Sequence, residues 1–378
     1  MRACYRHNIC YNNFMKKILR KSGRKETELC MGGSCPYTCC KGWSILIDDK
    51  TYANYLKEKG LLGLAVKYCS RGQKFTGHCK FHTREGLCYF QKNNRLDLMP
   101  RVCRLFPRRV MDYGDYGEMT YYLSCYNVAR DFVEDPDSFR LVEADEEAEV
   151  NWPMGNHDPA FLDFLLRNRQ QIIDYNPQPE SWRERILEIY RRTYGQNQYI
   201  ARQNFVDFDE IKADPPPPIT PDKGCLFYPV HFLNYLLLNY VARSRSCIRG
   251  TFLYGVIERY SRLTGKLTER EADSFIEQLI REMNVSDSSM EAFAHRYFEY
   301  MILQDYCLAY EDYYILEPVL TSIVSTELFI MLCATEYHQG RELTTDYKAA
   351  LLSQLEKASR SSAEFSNMII EQARKYFG

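Results

Sequence analysis

The chain has 378 residues, 45% of them hydrophobic and 26% charged, with a formal net charge of −1. That length allows two or three domains, or one large helical body with a smaller appendage. A net charge so close to zero argues against the broad electrostatic footprint of a nucleic-acid or acidic-membrane binder, so neither partner is expected.

The opening segment, "MRACYRHNICYNNFMKKILRK", scatters charge and polarity and has no apolar h-region, so it does not read as a signal peptide. Residues 1–14 read as a leader or extension that the fold does not need. A cytoplasmic location is expected, where persistent disulfides are rare. That expectation matters because the chain carries 15 cysteines, nine of them between Cys30 and Cys125. Beyond Cys125 only Cys225, Cys247, Cys307 and Cys333 remain, in apolar helical stretches where a free cysteine packs as a small hydrophobe. Cys4 and Cys10, in the leader, read the same way.

The dense set lies on bends. "ELCMGGSCPYTCCKG" places Cys30, Cys35, Cys39 and Cys40 on a Gly/Pro-rich loop, and "WSILIDDKTYANYLKEKG" then predicts a short strand, an Asp cap at Asp48 or Asp49, and a helix. "GHCKFHTREGLCYFQKN" predicts a hairpin turning at "REG", with Cys79 and Cys88 on its arms. Cys103 precedes a Phe-Pro break, a second hairpin turns at "DYGDYG", and Cys125 sits where its returning strand meets a helix. Ligands to one metal must converge from segments that bend sharply, and iron–sulfur clusters and tetrahedral zinc both take four-cysteine sets. Soft thiolates favour these metals over Mg or Ca. Residues 15–135 therefore read as a cysteine-rich module for a metal or an iron–sulfur cluster, with reduced packing cysteines or disulfides as competing readings. His78 and His82 flank Cys79 as possible imidazole ligands. Spacing does not choose the metal, because paired C-x2-C zinc units are missing. Adjacent Cys39 and Cys40 are expected to point in different directions, so one ligates a given metal while the other serves a second metal or packs. Gly42 stands where a radical S-adenosylmethionine motif needs a third cysteine, so that motif is absent.

From residue 136 the texture changes to a helical connector region, 136–212. "VEADEEAEV" reads as a solvated face or loop, and "DPAFLDFLLRNRQQIIDY" and "SWRERILEIYRRTYGQ" as amphipathic helices. "ADPPPPITPD", residues 213–222, is a stiff linker, and 223–378 reads as a helical domain. In that domain Thr268 and Glu271 have capping-box spacing, and "YYILEPVLTSIVSTELFIMLCA" reads as a buried helix and not a membrane span. The fold class expected is α+β, mainly α: a small cysteine-rich α+β module with short hairpins, followed by a large helical body. P-loop, dinucleotide, HExxH and G-x-S-x-G motifs are missing from the sequence.

In motif order, "CMGGSCPYTCCKGWSILID", Cys79 and Cys88, "CRLFPR" from Cys103 to Arg108, and "LSCYNVAR" from Leu123, the chain resembles the bacterial flagellin lysine N-methylase family. The later "LLLNYVARS" loosely matches a helix of that family's C-terminal half. The resemblance implies a lysine N-methyltransferase that uses S-adenosylmethionine on flagellin and carries an iron–sulfur cluster, of the 4Fe–4S type, or zinc. It implies ligands among Cys30, Cys35, Cys39, Cys40, Cys79, Cys88, Cys103 and Cys125, with Cys35, Cys39, Cys88 and Cys103 the first choice and Trp43 and Pro107 in support. Lys80 and His82 depart from the more apolar hairpin of the family. The competing readings are a zinc- or iron-stabilised binding module with a partner-recruiting helical domain and no chemistry, and a metal-trafficking or redox protein.

Overall fold

A computed structural model describes residues 15–25, 30–41, 45–70, 74–75, 79–153, 158–175, 182–202, 208, 211, 252–361 and 367. The chain divides into two compact units, and the expected 213–222 linker and 1–14 extension lie outside the described residues.

The first unit contains Met1–Pro153 together with Ser244–Arg249 and Thr345–Ser361. Its larger sheet has the order β6-β1-β5-β4-β7, from β1 (Met15–Ser22), β4 (Arg108–Asp112), β5 (Gly117–Tyr121), β6 (Leu141–Glu149) and β7 (Trp152–Pro153). The acidic run expected to be a solvated face or loop is an edge strand, β6, antiparallel to β1. Its charge is complementary to the basic "MKKILRKS" of β1: Lys17 pairs with Asp145 at 3.1 Å and Lys21 with Glu146 at 2.8 Å. Ile18 of β1 turns inward and packs with Val110, Met119 and Val150. The β4–β5 hairpin turns where expected, at Gly114, whose φ of +88° is open to glycine at no steric cost.

A second, two-stranded sheet joins β2 (Ile45–Leu46) to β3 (Lys74–Phe75). Around it stand α1 (Asp49–Lys57), α2 (Gly60–Cys69), α3 (Tyr89–Lys92) and α4 (Arg101–Leu105). Their shared core is aromatic: Phe81 packs tilted against Phe90 with ring centres 4.6 Å apart, and Tyr55 and Phe75 lie beside them. Asp48 caps α1, accepting the Thr51 amide, and also accepts the Arg101 amide at 2.7 Å, so one carboxylate joins the starts of α1 and α4.

The remaining helix of the first unit's N-terminal part is α5 (Tyr126–Glu134), which packs against α12 (Thr345–Ser361), a helix reached from the far end of the chain. Tyr126 donates to Asp346 at 3.0 Å, and α12 buries Leu351, Leu352 and Leu355. The expected division at residue 135 thus falls before β6 in a unit that runs to Pro153 and takes in α12.

The second unit is helical. It contains α6 (Pro159–Asp174), α7 (Trp182–Arg202), α8 (Phe252–Thr264), α9 (Glu269–Ser286), α10 (Ser289–Asp305) and α11 (Leu316–His338). Thr268 and Glu271 close the capping box on α9 as their spacing predicts. Among the described residues α11 is the one helix long and apolar enough to cross a membrane, and 89% of its most apolar window is buried, as expected for a core helix. Its buried Glu336 accepts from Arg259 at 2.6 Å and Arg341 at 3.0 Å, which satisfies the charge. The fold is α+β, mainly α, with a small mixed sheet and a helical body.

Candidate metal centre

The first unit brings the cysteines of four segments into one neighbourhood. Cys30 and Cys35 bracket a single 3-10 turn, Gly32–Ser34, and the Gly32 amide lies 3.3 Å from the Cys30 sulfur. Cys39 and Cys40 follow on the next turn. The carbonyl of Cys40 accepts the Cys79 amide at 2.9 Å, which ties the loop to the following segment. The hairpin expected around Cys79 and Cys88 reduces to one bridge, His82 with Cys88, because Cys88 caps α3 at once and Gly86, at φ +79°, closes the turn. Cys103 lies within α4, which ends at a cis Phe106–Pro107 peptide, and the Pro107 carbonyl accepts from the Tyr122 amide. Cys125 occupies the N-cap of α5, and Tyr37 packs on Tyr126 with ring centres 5.3 Å apart. Trp43 and His78 lie outside the described residues.

Cys40, Cys79, Cys88 and Cys103 pack with Cys69 against the aromatic core of Tyr55, Phe75, Phe81 and Phe90. The described cysteines are all free thiols. Burial pushes the Cys79 thiol up to about 11 and raises Cys88 and Cys103 as well, and the charges of Cys40 and of one another add to it. Burial likewise pushes Cys125 up to about 11, with Cys35 and Cys30 as its charged neighbours. The adjacent pair behaves differently. The Cys39 thiol hydrogen-bonds Cys40, lowering Cys40 to about 6 against the opposing effect of burial, with Thr38, His82 and Lys357 assisting. The same bond, together with burial, raises Cys39. The two side chains therefore lie within hydrogen-bond reach of each other, where adjacency predicted that they point apart.

Lys357 of α12 is the residue that sequence reasoning missed. It is 8% exposed, donates to the Thr38 carbonyl at 3.2 Å, and feels the charges of Cys39, Cys40 and Cys35. Burial lowers its pKa. Thr38 and Lys357 are separated by 319 in sequence, so no local pattern signals that placement. Cys307 and Cys333, expected to pack, are 1% and 0% exposed inside the helical unit, while Cys225 and Cys247 lie outside the described residues.

Among the described residues, no group of three or more His, Cys, Asp or Glu side chains is arranged to hold a metal ion as it stands. The donor chemistry nevertheless suits a soft metal. Thiolates are soft donors, so of the metals it is zinc or an iron–sulfur cluster that side chains of this type would hold.

No family model and no solved structure matches the chain. The lysine-N-methylases of Salmonella choleraesuis and Salmonella typhimurium are each 27% identical to it over 128 residues, 30% of this chain and 32% of theirs. The flagellar biosynthetic protein FliU of Salmonella muenchen is 27% identical over 128 residues, 30% of this chain and 76% of its own. The match thus spans about a third of the curated lysine-N-methylases' length. Over that shared stretch the chain is similar to proteins named lysine-N-methylase and to the flagellar biosynthetic protein FliU.

Proposed function

We propose that this protein is a protein-lysine N-methyltransferase that uses S-adenosylmethionine to methylate flagellin, and that its cysteines hold an iron–sulfur cluster of the 4Fe–4S type or, failing iron, zinc. The observation that carries the activity is the similarity to proteins named lysine-N-methylase, and the FliU name supports a flagellar substrate. The convergence of thiols on the 30–40 loop supports the metal.

The reaction sets clear demands. The lysine amine must be neutral and in line with the sulfonium methyl; the new N–C bond forms as the C–S bond breaks, and the nitrogen gives up a proton. A metal held by these cysteines would supply cross-links among the loops that carry them. Around it, Asp48 fixes α4 and so Cys103, the Cys40 carbonyl fixes Cys79, and Lys357 holds the 38–40 turn while placing a cation beside its thiols.

Incubating the metal-loaded chain with flagellin and methyl-labelled S-adenosylmethionine, then mapping methyl-lysine by mass spectrometry, tests the activity. Labelled lysine in flagellin is expected. Intact, metal-loaded protein that incorporates no label would make the chain a metal-stabilised binding module instead.

A further inference from the structure

The helix α2, "GLLGLAVKYC", is apolar on two faces. Leu62, Val66 and Cys69 form the inner one and pack on the aromatic core that holds Tyr55, Phe81 and Phe90. Leu61, Leu64, Ala65 and Tyr68 recur at helical spacing on a second face, and all four are exposed. Leu61 is 87% exposed, and Leu64 and Tyr68 are each 69% exposed. A surface helix ordinarily keeps a single apolar stripe, for the core, and shows polar residues outward, so a second stripe calls for a partner. Side chains this open stand proud of the surface, as a wedge and not as the wall of a cleft.

The stripe has a basic border. Lys57 ends α1, Lys59 is the N-cap of α2, and Lys67 lies one turn beyond Leu64; all three are exposed. The carboxylates beside them are already matched, because Arg95 pairs with Glu58 at 2.7 Å and with Asp97 at 2.9 Å. Lys67 donates to the Glu58 carbonyl at 3.0 Å, a bond that leaves its charge uncompensated. The whole-chain charge of −1 averages this patch away. We propose that α2 seats the protein on an anionic lipid surface, with the Leu61, Leu64 and Tyr68 side chains entering the interface and Lys57, Lys59 and Lys67 meeting the lipid phosphates. The proposal stands apart from the metal and from methyl transfer, since none of these residues is a candidate for either. A second copy of the chain is a poorer occupant: an isologous contact between two such stripes sets lysine against lysine whichever way the helices run. A specific protein partner is poorer too, because lysine is depleted from such interfaces and leucine is under-represented among their anchors. Leucines to insert, lysines for the headgroups and a tyrosine at the boundary are what an interfacial helix carries. With 10 residues α2 is about 15 Å long, so it lies in the plane of the interface and its attachment is reversible.

The full-length chain is mixed with vesicles of phosphatidylcholine alone or of phosphatidylcholine with phosphatidylglycerol, and the bound fraction is read by cosedimentation. Binding to the anionic vesicles is expected, weakening as salt rises, with far less binding to the neutral ones. Leu61→Ser/Leu64→Ser should weaken it by about tenfold or more, and Lys57→Gln and Lys59→Gln by about fivefold each. Val285→Ser, which removes an 88% exposed apolar side chain from the helical unit, should leave binding unchanged. All these side chains are exposed, so each variant should keep the circular dichroism of the parent. Tyr68→Trp gives a second readout in an otherwise unaltered stripe: its added fluorescence should shift to the blue with anionic vesicles. No binding to anionic vesicles, binding that Leu61→Ser/Leu64→Ser leaves intact, or no blue shift in the Tyr68→Trp protein would overturn the proposal. So would a concentration-dependent dimer that Leu61→Ser/Leu64→Ser abolishes, which would assign the stripe to a second copy.

Discussion

Cys40 is the residue on which the centre turns. It accepts the Cys39 proton, faces His82 and Lys357, and bonds through its carbonyl to Cys79. The hydrogen bond from Cys39 holds its pKa below that of an ordinary thiol, so in metal-free protein it ionises ahead of Cys39. Alkylation by iodoacetamide followed by peptide mapping should show Cys40 modified ahead of Cys39, with a pH midpoint below the usual thiol value. Lys357→Met removes a cation that favours the thiolate, so that midpoint should move up. Equal rates at both cysteines, or an unmoved midpoint, would contradict this arrangement. None of this is legible in "TCCKG" itself. Sequence identifies the adjacent cysteines, but the helix that supplies Lys357 arrives from the other end of the chain.

At the level of elements, local signals were legible and pairings were not. The caps at Asp48 and Thr268 and the turn at Gly114 are set by side chains and backbone within a few residues, so their spacing announces them. The acidic 141–149 run has no such announcement, because it becomes a strand only through the basic strand it pairs with, more than a hundred residues earlier. Asp48 shows how an element positions the centre. Burial opposes its charge, but the amides of Arg101 and Thr51 and the Thr51 hydroxyl outweigh that and hold its pKa below the usual carboxylate value. A depressed folded-state pKa contributes stability above the unfolded value, about 3.9 for aspartate, and that stability is lost as pH falls below it. Asp48→Ala should therefore cost about 1 kcal/mol in urea unfolding at pH 7, with the difference from the parent shrinking as pH falls below about 4. A cost that stays constant down to acid pH would show that Asp48 acts without its charge.

Across the whole molecule, the fold class and the cysteine-rich segment could be read from the sequence, while the composition of each unit could not. Periodicity predicts a helix in "TTDYKAALLSQLEKASRSSAEFSNMIIEQARKYF", yet it does not tell which core the helix joins; α12 packs against α5 and buries Leu351, Leu352 and Leu355, in the unit that holds the cysteines. The cysteine unit thereby takes in Thr345–Ser361 along with its N-terminal segments, and the loop carrying Cys35, Cys39 and Cys40 is braced by α12 through Lys357. The central claim is that this braced set of thiols binds a soft metal. It is tested most directly by purifying the full-length protein anaerobically and measuring iron, zinc and acid-labile sulfide together with the absorption spectrum. The account predicts stoichiometric iron and sulfide with broad absorption near ~400 nm, or stoichiometric zinc in a colourless protein. Folded protein that contains none of these metals, and takes up none on loading, would contradict it.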